Sequence, residues 1–185
     1  MKIVQIIDQL GRDHRNLRLL LDIVAKEMDA YREGHTPDFD LLRLISEYTL
    51  HYPDLVHHPK ENVIFERLVM RDPTTAEVVS DLVAEHKKLA DLTRRFAGAI
   101  GNAARDGELP REWLDALARE YIRANRLHMQ LEEQYLLPRA IAVLTEEDWF
   151  ALDEDLSYAS DPVFGEKVAE AYLHLHDRIL RLHEG

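Results

Sequence analysis

Two His-x-x-x-Glu runs are the residues of this chain best placed to do chemistry: His57-His58-Pro59-Lys60-Glu61 and His128-Met129-Gln130-Leu131-Glu132. Each follows a lone histidine at a nearly equal distance. His14 stands 43 residues before His57, and His86 stands 42 before His128. Positions i and i+4 share one face of a helix, with Cβ atoms about 5–6 Å apart. Each run therefore lets an imidazole and a carboxylate approach one point. Four imidazoles and two carboxylates gathered together would form a site for one or two metal ions. A single histidine on an apolar face is ordinarily a core residue bonded to a nearby carbonyl or carboxylate. Four of them at one depth, two with a glutamate one turn on, are harder to explain that way. An unpartnered buried polar group costs about 1–3 kcal/mol, and an unpaired buried charge costs more.

The elements that must position these residues are legible from the gaps. The midpoint between His14 and His57 falls at His35-Thr36, that between His57 and His86 at Arg71-Asp72 before Pro73, and that between His86 and His128 at Gly107. All three are Gly, Pro and Asp punctuation between helices. If each turn joins antiparallel helices, His14, His57, His86 and His128 share one layer of a four-helix bundle. At about 1.5 Å per residue, that layer lies roughly 20 Å from one end and 30 Å from the other. Apolar seams with alternating steps of four and three support this. The first predicted helix runs Ile3, Ile7, Leu10, His14, Leu17, Leu21, Val24, Met28. The third runs Val79, Leu82, His86, Leu89, Thr93, Phe96, Ile100, and the fourth Leu114, Leu117, Tyr121, Ala124, His128, Leu131, Tyr135. The second is less regular, with Ile45, Leu50, His57, Glu61, Ile64 and Leu68. Pro53 and Pro59 each remove a helical hydrogen bond there and are expected to bend it beside the site.

Composition bounds the rest. The chain has 185 residues, 46% of them hydrophobic, little glycine and no cysteine. That suits an all-α domain with a sizeable core and excludes disulfides and thiolate metal sites. A net charge of -12 with no basic stripe argues against nucleic acid and anionic lipid as partners. The first residues are too soon charged for a signal peptide, and no apolar run approaches a membrane span. The expectation is a soluble, cytoplasmic protein. Beyond residue 142, Thr145-Glu146-Glu147-Asp148 reads as the capped start of a short helix to about Leu156. Asp161-Pro162 reads as the start of a final helix carrying Val168, Ala171, Tyr172, Leu175, Ile179 and Leu182. The domain division is thus a metal-binding bundle over 1–142 and a helical extension over 143–185, packed on the bundle or on a homodimer partner. His174, His176 and His183 read as solvated surface residues.

Imidazole suits zinc, copper, iron and nickel, and carboxylate suits harder ions. A mixed set from four helices is similar to the di-iron and di-manganese carboxylate bundles, although those carry Glu-x-x-His and more carboxylates. Histidine first, spacing four and an excess of histidine resemble the hemerythrin-like (HHE cation-binding) family. The matching residues are Asp13-His14-Arg15, His57-His58-Pro59-Lys60-Glu61 with Phe65, Glu85-His86, and His128 with Glu132 and Leu136-Leu137-Pro138. They cover roughly residues 1–142.

The resemblance implies an up-down-up-down four-helix bundle with two additional C-terminal helices, holding two non-haem iron ions (Fe2+/Fe3+). Glu61 and Glu132 would bridge them with an oxo or hydroxo group; manganese or zinc are the alternatives. His14 and His57 would serve one ion, His86 and His128 the other. The chain departs from the oxygen carriers of that family in two places. Leu82 and Ala90 occupy the positions where a second histidine would stand on the third helix. Glu132, at spacing four, replaces an Asp at spacing five. One ion is therefore a histidine short. His58 is the first candidate to fill the gap and His35 a remote one, and an open position is the alternative. His51 is a candidate outer hydrogen-bond partner. The expected function is binding or sensing of O2 or a related small oxidant such as NO or peroxide. A di-iron oxidoreductase acting in oxidative or nitrosative stress and an iron storage or donation protein are the alternatives. Tyr121 and Tyr135 are the nearest candidate proton donors.

Overall fold

The chain folds as four antiparallel rods, each crossing the bundle once. A computed structural model describes residues 2–105, 109–156 and 160–183, with side chains from residue 5 onward except those of residues 155 and 183. The first rod is α1, Lys2–Arg32. The second is α2, Phe39–His51, continued through a π turn, Pro53–His57, into α3, His58–Arg71. The third is α4, Ala76–Ala103. The fourth is α5, Arg111–Leu131, continued through a second π turn, Glu132–Leu136, into α6, Leu137–Val143. No strand occurs among the described residues.

Local chemistry sets the ends. Gly34, at a φ of 98°, turns the chain after α1, a conformation that favours glycine. The Asp38 side chain then accepts the Leu41 N–H at 3.0 Å and caps α2. Asp72 and Pro73 end the second rod. The expected turn at Gly107 lies outside the described residues.

Both π turns close on the residue just before a proline. The His58 N–H reaches the Pro53 carbonyl, with Pro59 next; the Leu137 N–H reaches the Glu132 carbonyl, with Pro138 next. A proline ring clashes with the carbonyl four residues back and lacks an N–H, so the turn widens locally instead of ending. Pro53 and Pro59 thus frame a π turn where a bend was expected. The second π turn moves the inward seam on by one residue. Leu136 is fully buried, and Tyr135, expected inside, is 50% exposed.

The interior consists of two apolar clusters. One holds Leu17, Leu21, Ile45, Tyr48, Phe96, Leu117 and Tyr121. The other holds Leu10, Ile64, Phe65, Leu68, Leu82 and Leu136. Along α1, His14 lies between Leu10 of one and Leu17 of the other, so a polar layer divides the core.

After the bundle, α7, Glu146–Asp155, opens with the expected capping box between Thr145 and Asp148. It packs on α1 and α3, held by Arg71, which donates to Asp148 at 2.8 and 3.0 Å. The last helix, α8, Leu173–His183, follows a 3-10 turn, Glu170–Tyr172, and packs on α2. Its expected start at Pro162 is incorrect. Asp161 does cap the Val163 and Phe164 N–H groups at 2.8 and 2.9 Å. The coil stops at Gly165, where a side chain would run into the Asp161 carbonyl and the Ser160 hydroxyl.

Candidate metal centre

Five histidines and two glutamates converge in the dividing layer, every one buried. His58, Glu61, His86 and His128 each offer one ligand atom, all within 4.8 Å of one another, and His14, His57 and Glu61 do the same. The His58 and His86 rings stack at 4.2 Å and 9°, with His128 edge-on to both. His14 and His57 pack edge to face at 5.0 Å.

The carboxylates straddle the two groups. Glu61 Oε1 lies 3.3 Å from His14 Nε2 and 3.2 Å from His57 Nε2, while its Oε2 lies 3.6 Å from His86 Nε2. Glu132 Oε2 lies 3.3 Å from His14 Nε2, while its Oε1 lies 3.5 Å from His86 Nε2 and 3.2 Å from His128 Nε2. Each glutamate therefore turns one oxygen toward each group.

The other ring nitrogen of every histidine meets an acceptor. Asp13 Oδ2 lies 3.0 Å from His57 Nδ1, Glu133 Oε1 3.0 Å from His14 Nδ1, and Asn62 Oδ1 2.9 Å from His86 Nδ1. Glu85 Oε2 lies 3.3 Å from His128 Nδ1, and Asp54 Oδ1 3.3 Å from His58 Nδ1. Acceptors at all five Nδ1 atoms place the proton there and leave the Nε2 lone pair for the centre. Arg18 holds Glu133 in turn, at 2.9 and 2.6 Å.

What the inward-facing atoms lack is a partner. His14 Nε2, His86 Nε2, His128 Nε2 and both oxygens of Glu61 and Glu132 are buried without a hydrogen bond. Orphaned polar atoms of this kind are rare in a native core, and two carboxylates facing unprotonated nitrogens is the donor set that cations satisfy. Without a cation, protons must balance the charge. Burial opposes the charged form of His14, but Glu132, Glu133 and Glu61 outweigh it and push its pKa up to about 12. Burial likewise opposes charge on His57, yet Glu61 and Asp13 raise it to about 9. Burial and Glu132 both oppose ionisation of Glu61, and the facing His57 and His14 still hold it below the usual carboxylate range. His58 goes the other way: burial lowers its pKa.

Of the sequence-predicted residues, His14, His57, His58, Glu61, His86, His128 and Glu132 are brought together. His35 and His51 are not. Both are exposed, and His51 Nδ1 bonds the Glu47 carbonyl of its own helix at 2.7 Å. Tyr121 is buried but its hydroxyl bonds Thr49 Oγ1 at 3.1 Å. In the tail, His174 is exposed, whereas His176, half-buried, meets the Val163 carbonyl at 2.9 Å. The side chain of His183 lies outside the described residues. The Nδ1 partners were missed, although Asp13 and Glu85 belong to the recognised motifs. Their signal was an acid directly before each lone histidine.

Residues 5–140 match the family described as Hemerythrin HHE cation binding domain. No curated protein matches the chain.

Proposed function

The chain belongs to the hemerythrin HHE cation-binding family, and from that membership we propose that its centre holds two iron ions and binds or senses O2 or a related small oxidant. His58, His86 and His128 serve one ion and His14 and His57 the other. Glu61 and Glu132 bridge them. The observation that carries this reading is the straddling of both carboxylates, each with one oxygen toward each histidine group. Iron, once bound, supplies a redox-active pair of Lewis acids. The surrounding residues orient the imidazoles through Asp13, Asp54, Asn62, Glu85 and Glu133, and an apolar cluster lies on either side of the layer.

The histidines divide three to two. His58 completes the group on the α4 and α5 side, so the position left for an exogenous ligand belongs to the ion of His14 and His57. Binding is favoured over O–O cleavage because cleavage consumes protons. Neither expected donor supplies them, since Tyr135 faces solvent and Tyr121 is engaged with Thr49.

Elemental analysis of natively purified protein tests the centre: about two irons per chain is expected. Absorption spectra through repeated O2 and argon cycles then test the ligand. Reversible change supports binding, and irreversible conversion to a stable ferric form contradicts it. Steady-state consumption of peroxide or NO, lost in Glu61→Ala, would instead establish the oxidoreductase.

A further inference from the structure

A groove runs along the outside of the bundle between α4 and α5. It encloses about 1100 Å³, slightly more than the about 300–1,000 Å³ of a site for a drug-sized molecule. Its floor is apolar, made of Leu89, Leu92, Ala124, Leu127 and Leu131. Leu89 and Leu92 are core residues, whereas Leu127 is 52% exposed. The antiparallel pairing that sets His86 level with His128 sets Arg95 level with Arg119. The groove is therefore polarised. Arg95, Arg119 and Arg123 gather at the end away from the histidine layer, and Glu85 and buried His128 stand at the other. From Glu85 to Arg95 the helix rises about 15 Å, at about 1.5 Å per residue.

The cations at the far end are available to a ligand. Among the described residues, Arg95 and Arg123 take part in no ion pair, and both are exposed. Arg119 meets Asp115, which lies off the groove, and Asp91 on the groove wall is engaged by Arg94. Glu120 lies among the three arginines, so this end stays net positive in a chain whose net charge is -12.

We propose that the groove binds a free medium-chain fatty acid, its carboxylate on Arg95 and Arg123 and its hydrocarbon chain along Leu92, Leu89 and Leu127 toward Leu131. A guanidinium matches a carboxylate with two parallel N–H bonds. The hydrocarbon chain takes Leu127 out of water, which the hydrophobic effect favours in proportion to the area covered. One charged end and an apolar length suit a ligand with a single anionic head. An acidic helix carries charge along its whole length and would set it against bare leucine and against Glu85. The site lies outside the histidine layer, and its occupation does not depend on iron.

Isothermal titration of the full chain with dodecanoate tests this, at neutral pH and below the micelle concentration, with metal content measured alongside. One dodecanoate per chain is expected. Dodecanol keeps the tail and lacks the charge, and should bind roughly tenfold more weakly. Acetate, which lacks the tail, should not bind. Arg95→Glu combined with Arg123→Glu should weaken dodecanoate by a similar factor and leave dodecanol unchanged, while Leu127→Glu should weaken both. Lys26→Glu, at an exposed position on α1 away from the groove, should change neither. Circular dichroism checks that each variant is folded. Equal dodecanoate affinity in the parent and the double arginine variant overturns the site, as does an equal loss in Lys26→Glu, which would mark unspecific adsorption. No dodecanoate binding to the folded parent protein overturns it too, whether or not an acidic helical peptide binds in its place.

Discussion

Asp13 precedes His14 in the chain but serves His57, on another rod, at 3.0 Å. The same crossing recurs in the second half, where Glu85 precedes His86 and serves His128. The residues after Glu61 and Glu132 cross as well: Asn62 serves His86 and Glu133 serves His14. Within each half, then, the acid before the lone histidine orients the second histidine, while the residue after the glutamate orients the lone histidine of the other half. Partners of this kind are worth about 10–100-fold in metal affinity. Asp13→Ala should weaken metal binding within that range. Glu85→Ala should weaken it less, since its contact is longer and its side chain is 45% exposed. Competition with a chelator of known affinity measures both. Equal affinity for the Asp13→Ala and parent proteins would refute the orienting role.

The straddling carboxylates make a different prediction from the histidines. Glu132→Ala and Glu61→Ala each remove an oxygen from both groups, so both ions should be lost together. His58→Ala removes a donor from one group only and should weaken one ion while leaving the other. His51→Ala, on the exposed face, should change nothing. Metal-to-protein ratios separate these outcomes, with far-ultraviolet circular dichroism confirming that the helices persist. Stepwise loss of one ion in Glu132→Ala would count against bridging.

The rods and the layer could be read from sequence because both rest on periodicity. A seam of alternating fours and threes fixes which face turns inward, and equal gaps fix a common height. The Nδ1 partners could not be read that way, since each depends on which rod lies beside which. The repeat also breaks at one point. His58 corresponds to Met129 in the second half, so the three-to-two division was not implied by the repeat. Tyr135 was misplaced because the π turn before Pro138 advances the seam by one residue. The final helix was started too early because the Asp161 cap looks the same from sequence whether it opens a helix or a single turn.

Acid should loosen α7 in a way that isolates one carboxylate. Hydrogen bonds from Arg71 pull Asp148 down from 3.8 to about 2, against burial and with help from Thr145. The folded value lies below the unfolded one. Ionised Asp148 therefore stabilises the fold in full above about pH 4, and the contribution fades as pH falls through that value toward about 2. Thermal unfolding followed by the fluorescence of buried Trp149 should show this slope in the parent protein. In Asp148→Asn the slope should be shallower across that window and the melting temperature lower at neutral pH. Parallel curves for the two proteins would disprove the linkage.

Asp161 ties the C-terminal segment to the bundle through both oxygens. Oδ1 caps Val163 and Phe164, while Oδ2 accepts from Tyr48 and from Asn16 at 3.3 Å. Asp161→Ala removes the cap and leaves a buried phenol without an acceptor, a loss of about 1–3 kcal/mol for the orphaned hydroxyl alone. Tyr48→Phe removes that hydroxyl and should cost less. In the double variant the two losses should sum to less than their separate values, because the hydroxyl can be orphaned only once. Denaturant unfolding of the four proteins measures the coupling. Additive losses would mean that Asp161 acts only as a local cap, and that the contact with Tyr48 does not hold the segment in place.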